Sequence, residues 1–309
     1  MNRKFCFVKA LVVLLIVFSL SCSKGGNRVK LGILPAIDSL PLIVAETEGL
    51  FKDEGLDIEI VMFASALEKE AALLSSALHG VFGDPVTALL TLKSPLDIRI
   101  FTESSRSGKN RMFGLVASPG SNARSFESVK KGQIAIASGT VVDFFLDEIS
   151  LFNNFNPEKL QKLEVKGIPL RYQMLMSGQV EFAMLPEPLV SKAEKDGARV
   201  IADDLPLDIT ATVISLSGDF LEQNKDFAKS FTRAYNKSVN LINTHPDKYR
   251  NLMVTRLRLP EELKESFAIP VYNEVRVPSE KDITRVYFWM KKKGILEAPL
   301  KYEKTIWKQ

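Results

Sequence analysis

Acidic and hydroxyl side chains stand where predicted strands lead into predicted helices, often just before a proline. Such residues accept hydrogen bonds from the free amides of the first helical turn, which stabilises a helix by about 1 kcal/mol. Capping alone explains each residue taken singly. In a parallel sheet, however, these junctions share the carboxyl edge where ligands bind, so together they predict a polar rim. The junction residues are Asp38, Ser39, Ser65, Asp84, Pro85, Thr140, Glu187 and Pro188.

The segment Ser138-Gly139-Thr140 bears on what such a rim could bind. A glycine that permits close approach and two hydroxyls at a helix start suit an anion or a carbonyl oxygen. Three carboxylates disfavour an anion at the same rim, because Asp38, Asp84 and Glu187 repel an anionic ligand unless they are turned into their helix caps. These residues taken alone leave the charge of the ligand open.

The common motifs of catalytic sites are missing from the sequence. It contains no G-x-S-x-G elbow, no P-loop and no G-x-G-x-x-G segment. Its two histidines, His79 and His245, are far apart, and neither belongs to a metal-binding motif. We therefore expect a protein that is not an enzyme and that carries no cofactor and no metal.

The order of elements predicts an α/β fold. Strands and helices alternate from Val29 onwards, which implies mostly parallel sheets covered by helices. The order fits two lobes, with 28–113 and 214–309 forming lobe I and 114–213 forming an inserted lobe II. The two connecting strands would lie near Met112–Ala117 and Thr210–Leu216. A single large sheet with a helical tail fits the same periodicity.

The first 21 residues have the pattern of a signal peptide. A short basic stretch precedes the apolar run Ala10 to Leu20, which is too short to span a bilayer. Ser21-Cys22 then resembles a bacterial lipoprotein box, although Leu20 lies two residues before the cysteine rather than three. We expect Cys22 to carry the lipid and 22–27 to form a tether. An ordinary secretory signal with a chance cysteine is the alternative.

The charge of the chain argues against a nucleic-acid partner. The formal net charge is +4, and removal of 1–21 takes away Arg3, Lys4 and Lys9 and leaves +1. No long basic block remains, since Lys291 to Lys293 fits the solvated face of a helix. No second run of 18 apolar residues follows the signal segment, so only the lipid would hold the protein on a membrane.

A family resemblance becomes specific at Pro41 to Glu59, PLIVAETEGLFKDEGLDIE. It resembles the A-x-x-x-G-L-F-K-x-E-G-L segment of type II periplasmic binding proteins, in the branch that handles sulfonates, taurine, nitrate and pyrimidine precursors of thiamine. The segments Gly132–Leu146, Ser177–Asp203, Phe227–Asp247 and WMKKKGIL at 289–296 resemble later parts of the same family in the right order.

The resemblance implies a two-lobed fold that closes on its ligand about a two-stranded hinge. It places the ligand near Pro35 to Ser39, Phe63 to Ser65, Gly83 to Pro85, Ser138 to Thr140, and Glu187. Phe63 could offer an aromatic face to the ligand or belong to the core.

The role that the resemblance implies is solute capture for an ABC importer, with a permease and an ATPase as partners. We expect a monomer on the extracytoplasmic side of a membrane. The carboxylates Asp38, Asp84 and Glu187 favour a neutral or cationic ligand, for which an aminopyrimidine related to thiamine is the best candidate. A sulfonate or taurine binder, or a sensor ectodomain without transport, is the alternative.

Overall fold

The computed structural model describes residues 28–308, apart from the side chain of Leu67. The signal peptide, Cys22 and the tether predicted above lie outside these residues. No helix in the described part is both long and apolar enough to cross a membrane.

Between residues 28 and 308, ten strands form two five-stranded sheets. The strands are β1 Val29–Ile33, β2 Ile58–Met62, β3 Gly80–Gly83, β4 Ile98–Arg106, β5 Phe113–Ala117, β6 Gln133–Ile136, β7 Gln161–Glu164, β8 Phe182–Pro186, β9 Arg199–Asp203 and β10 Thr210–Ser217. The first sheet has the order β2-β1-β3-β10-β4 and the second the order β7-β6-β8-β5-β9. Within each sheet four strands point the same way, and only β10 or β5 runs against them.

Helices cover both sheets, which confirms the two-lobed α/β fold. They are α1 Leu40–Thr47, α2 Leu50–Asp53, α3 Ala66–Leu74, α4 Pro85–Leu90, α5 Phe126–Val129, α6 Val141–Phe152, α7 Ile168–Met176, α8 Leu189–Lys195, α9 Gly218–Gln223, α10 Lys225–Thr244, α11 Arg250–Leu257, α12 Glu280–Lys292 and α13 Tyr302–Thr305. We call the first sheet with its helices the first lobe, and the second sheet with its helices the second lobe.

The chain crosses between the sheets at 107–112 and at 204–209. Strand β10 pairs within the first sheet from Thr210 onwards, whereas Phe113 already pairs with Pro186 in the second sheet. The crossings therefore lie a few residues before the connecting strands expected from the sequence. The apolar runs used for that expectation mark the buried strands β5 and β10, while the connections themselves are more polar.

One hydrophobic cluster belongs to the first lobe and another extends through both. The second cluster joins Val86 of α4, Phe144 of α6 and Trp289 of α12. Trp289 packs edge-on against Phe144, with ring centroids 5.5 Å apart, and its Nε1 donates to Asp147 Oδ2 at 2.9 Å. Because α12 packs against α4 and its Trp289 contacts α6, it ties the two lobes together on one side.

Candidate functional site

The first-lobe half of the candidate site follows the carboxyl end of β1. Pro35 and Ala36 are half-buried, and the turn Ile37–Ser39 leads into α1. Ser39 precedes the first residue of α1, but its hydroxyl donates to the Ala36 carbonyl at 2.7 Å and does not cap the helix. Asp38 is only 4% exposed, so its carboxyl is almost completely shielded from solvent.

Hydroxyl groups from two other strands surround Asp38. Ser105 Oγ of β4 donates to Asp38 Oδ2 at 3.2 Å and lies 2.7 Å from Thr212 Oγ1 of β10. Burial raises the pKa of Asp38, hydrogen bonds from Thr212 and Ser105 oppose that rise, and the neighbouring Asp84 adds to it. A carboxyl group with a raised pKa gains a proton more readily, which weakens the attraction to cations that the sequence suggested.

Asp84 is a helix cap, as its position before Pro85 predicts. Its Oδ1 accepts the Thr87 amide at 2.9 Å and its Oδ2 accepts the Thr87 hydroxyl at 3.0 Å, while Pro85 is buried as the first residue of α4. Burial raises the pKa of Asp84, and the Thr87 amide and the nearby Lys69 ammonium oppose that rise. The carboxylate is thus largely satisfied by its own lobe.

Lys69 is the functional candidate that the sequence analysis missed in this lobe. It is 2% exposed, and its Nζ donates to the Phe82 carbonyl at 2.6 Å, directly beneath the turn that carries Asp84. Burial lowers the pKa of Lys69, and the Asp84 carboxylate opposes that fall. The available signal was its spacing: Lys69 and Leu73 are four residues apart on α3, so both lie on its buried face.

Phe63 and Ser65 follow β2. Phe63 is half-buried and packs against a cluster of apolar side chains that includes Leu78. A Cβ on Gly32 would lie 2.6 Å from Leu78 Cδ1 and 3.1 Å from Phe63 Cε2, so only glycine fits there without displacing these side chains. Ser65 caps α3, accepting the Glu68 amide at 3.3 Å, as the capping box predicts.

The second-lobe half contains Ser138, Gly139 and Thr140, which connect β6 to α6. The Ser138 amide donates to Glu164 Oε2 at 3.0 Å, and the Gly139 amide donates to Asp143 Oδ2 at 2.9 Å. Gly139 has a φ of +73°, a conformation that favours glycine, and Thr140 Oγ1 donates to the Ala137 carbonyl. Carboxylates of the protein therefore already occupy two of the amides expected to meet a ligand.

Behind this loop lies Arg171, a fully buried arginine that the sequence analysis did not single out. Its Nη1 donates to the carbonyls of Val165 at 2.9 Å and Lys166 at 3.2 Å. Burial lowers its pKa to about 10, and the nearby Glu164 opposes that fall. The hydrogen bond from Ser138 lowers the pKa of Glu164 in turn, so an ionised Glu164 holds the start of the β6–α6 loop.

Glu187 is held by an arginine from the first crossing segment. Its Oε1 accepts Arg111 Nε at 2.7 Å, and its Oε2 accepts the Ser191 amide at 3.1 Å. The peptide bond to Pro188 is cis. Arg111 neutralises the charge that was expected to face a ligand, and no local pattern in the sequence could reveal a partner 76 residues away.

A buried polar network near Asp38 was also missed. Glu103 of β4 is 1% exposed and accepts hydrogen bonds from Arg106, Arg276 and Thr210. The available signal in the sequence is the unbroken polar run TESSRS at 102–107. Among the described residues no group of three or more His, Cys, Asp or Glu side chains could hold a metal ion.

The structure groups the predicted residues by lobe. Those at Pro35 to Ser39, Phe63 to Ser65 and Asp84 to Pro85 follow strands of the first sheet, and those at Ser138 to Thr140 and Glu187 follow strands of the second. Helices α4 and α6 contact each other across the lobes. The assignment of these residues to a ligand stays a prediction.

Solved structures with the same fold cover nearly all of the chain. One is the ligand-binding component of an ABC-type import system from Staphylococcus aureus with zinc bound, with a TM-score of 0.73, 18% identity and coverage of 90% of this chain and 96% of that chain. Another is the alkanesulfonate-binding protein SsuA from Xanthomonas axonopodis pv. citri bound to MOPS, with a TM-score of 0.75, 16% identity and coverage of 91% and 98%.

A third is the periplasmic nitrate-binding protein NrtA from Synechocystis PCC 6803, with a TM-score of 0.67, 15% identity and coverage of 91% of this chain and 84% of that chain. A comparison with curated proteins gives no significant match. The model of one protein family, described as NMT1/THI5 like, matches residues 36–249, which is more than half of the chain. The protein therefore belongs to the NMT1/THI5-like family.

Proposed function

We propose that the protein captures a small solute between its lobes and delivers it to an ABC importer. The observation that carries this proposal is the pairing of two sheets, joined by two crossing segments, whose carboxyl edges both present polar side chains. Ligands of open α/β sheets bind at such edges. The solved structures of this fold, described as ligand-binding, alkanesulfonate-binding and nitrate-binding proteins, support the same role.

For the ligand we propose an aminopyrimidine related to thiamine. Asp38 and Asp84 are close enough for their charges to interact, and burial raises the pKa of both. A carboxyl group of this kind can pair with the ring nitrogen and amino group of an aminopyrimidine, which offer one acceptor and one donor side by side. Glu187 contributes less than its sequence position suggested, because Arg111 already pairs with it.

An alkyl sulfonate is the second candidate. The solved structure of an alkanesulfonate-binding protein supports it, as does the start of α6, where a helix dipole favours an anion. The opposing observation is that Glu164 and Asp143 accept the amides of Ser138 and Gly139. A sulfonate would have to displace these carboxylates, which lowers its affinity there.

Lipid attachment at Cys22 is part of the same proposal. Strand β1 begins at Val29, so the chain from Cys22 would hold the first lobe within about 25 Å of the membrane surface. Labelling of cells with a palmitate analogue tests this point. The wild-type protein should take up the label and the Cys22→Ala variant should not, whereas equal labelling of both would reject the anchor.

Thermal unfolding of residues 24–309 tests the ligand proposal. The panel contains thiamine, its aminopyrimidine precursors, taurine and other alkyl sulfonates, and nitrate. A ligand at about 100 times its dissociation constant adds roughly 2.7 kcal/mol, which raises the melting temperature by a few degrees. The pyrimidines should raise it, and Asp38→Asn should abolish the rise. Asp57→Asn is the matched control, since Asp57 is exposed and pairs with Arg28.

The outcomes separate the candidates. A rise with sulfonates alone would keep the binding role and reject the aminopyrimidine. A rise with pyrimidines that survives Asp38→Asn would keep the ligand and reject the role of Asp38. If no compound on the panel changes the melting temperature, the proposed ligand classes are wrong.

A further inference from the structure

One acidic residue of the first lobe has its charged partner in the second lobe. Glu262 lies in the turn Glu261–Leu263, and its Oε1 is 2.6 Å from Nζ of Lys192 on α8. Lys195, one turn further along α8, donates to the Glu262 carbonyl. Leu259 and Leu263 on either side of Glu262 are buried in the first-lobe core, so the turn moves with that lobe.

The second lobe holds Lys192 in place for this contact. Lys192 Nζ also lies 2.9 Å from Asp196 Oδ2 and 6.0 Å from the centroid of the Tyr172 ring. The Tyr172 hydroxyl donates to Asp196, which links α7 to α8. Lys192 therefore presents its charge from a rigid cluster, which reduces the entropy lost when it meets Glu262.

The geometry makes this contact depend on how the lobes are arranged. On its other side α8 is bound by Arg111 of the first crossing segment, through Glu187 and Glu194. A rotation about the crossings moves α8 as part of the second lobe, while Glu262 stays with the first lobe. An opening of a few ångströms at this point separates Lys192 from Glu262 and leaves every other contact of Lys192 intact.

We propose that Glu262 and Lys192 form an interlobe latch that favours the arrangement in which the lobes are in contact. The latch rests on the proposed function, because holding the lobes together matters only if they close on a solute. Neither residue belongs to the predicted ligand contacts. The latch would therefore slow release of the solute without touching it.

The expected effect is modest, because the side chains of Lys192 and Glu262 are 24% and 44% exposed. Solvent screens a pair of this kind, and loss of it should change the ratio of closed to open molecules by about two- to fivefold. The change should shrink as the salt concentration rises, since exposed charges are screened over about 10 Å at 0.1 M salt.

Single-molecule fluorescence of the full-length protein without added ligand measures this ratio. The dyes are attached through non-natural amino acids at the exposed positions Lys52 in the first lobe and Asn122 in the second. Glu262→Gln removes the charge, and Glu262→Lys replaces attraction by repulsion from Lys192. Glu261→Gln is the matched control, because Glu261 is next to Glu262 in the chain and pairs with Lys264 of its own lobe.

The latch predicts that Glu262→Gln lowers the closed fraction, that Glu262→Lys lowers it further, and that adding Lys192→Glu to Glu262→Lys restores it. Glu261→Gln should behave as wild type. If both substitutions at Glu262 leave the distribution unchanged, or if Glu261→Gln changes it equally, the latch is rejected. If Glu262→Lys does not fold, Glu262→Gln decides alone. Because no ligand is added, failure of the latch is distinguishable from failure of the proposed ligand.

Discussion

The second crossing segment contains a buried carboxyl group whose ionisation should set the pH dependence of stability. Asp204 is fully buried, and its Oδ1 accepts the amides of Met112 at 3.0 Å and Phe113 at 3.2 Å. Its Oδ2 is buried without a hydrogen-bond partner among the described residues. Burial raises the pKa of Asp204 from 3.8 to about 7, with the two amides opposing that rise.

The sign of the effect follows from the raised pKa. The folded protein retains the proton on Asp204 up to about pH 7, whereas the unfolded chain loses it near pH 4. The stabilisation that the protonated Asp204 provides is complete below the pKa of this group in the unfolded chain. It is lost as the pH rises through the pKa of the same group in the folded protein. With these two values, raising the pH from about 5 to about 8 should lower the free energy of unfolding by roughly 2–3 kcal/mol.

Asp204→Asn removes this contribution, because an amide can accept the same two backbone N–H groups and does not ionise. The melting temperature of the wild-type protein should fall relative to the variant by about 5 degrees between pH 5 and pH 8. Taking the difference between the two proteins cancels the titration of Asp38, Asp84 and other shared groups. Asp203→Asn is the matched control, since Asp203 is adjacent but only half-buried.

The assay is calorimetry, or circular dichroism against temperature, at several pH values and constant ionic strength. A wild-type protein and an Asp204→Asn variant whose melting temperatures move in parallel from pH 5 to pH 8 would refute the reasoning. A difference of the opposite sign would also refute it, because it would mean that the folded protein stabilises the ionised carboxylate.

Two further substitutions test the packing around the site. Gly80→Ala should lower the free energy of unfolding by several kcal/mol in urea titrations. The reason is that a Cβ at this position would lie 2.5 Å from the Ser215 carbonyl oxygen and 2.4 Å from Leu216 Cδ2. A loss below about 0.5 kcal/mol would contradict this. Lys69→Met should cost about 1–3 kcal/mol in the same titrations, since it leaves the buried Phe82 carbonyl without the donor that Lys69 supplies, and an unchanged midpoint would contradict this.

The sequence predicts the regular elements well where the helical periodicity is clear. The apolar periodicity predicts helices at Val141–Phe152 and Leu189–Lys195, and α6 and α8 have these bounds because each has a buried apolar face. The apolar run Ile98–Phe101 predicts a short strand, but β4 is longer, because its polar residues up to Arg106 pair with β10. An apolar pattern cannot reveal a strand whose buried side chains are polar.

Helix ends and caps were less predictable. The helical pattern from Ala66 predicts a helix that ends near Leu78, but α3 ends at Leu74, since Ser76 adopts a φ of +59°. The pattern at 260–267 also predicts a helix, whereas only Glu261–Leu263 forms a short helical turn. Thr140 with Asp143 three residues later predicts a capping-box variant, but the Thr140 side chain does not cap α6, and Asp143 accepts the Gly139 amide instead.

The sequence by itself determined the α/β class and the junctions at which polar residues meet helix starts, because periodicity and capping act over a few neighbouring residues. Periodicity left one sheet or two lobes open, and the resemblance of the segments from Pro41 to Glu59 onwards to a known family implied the two lobes. Only the tertiary structure decided how those polar residues are used. Lys69 lies beneath Asp84, Arg111 pairs with Glu187, and Glu164 accepts the Ser138 amide. Each of these partners is distant in the chain, and the charge of a carboxyl group depends on burial and neighbours that local sequence does not contain.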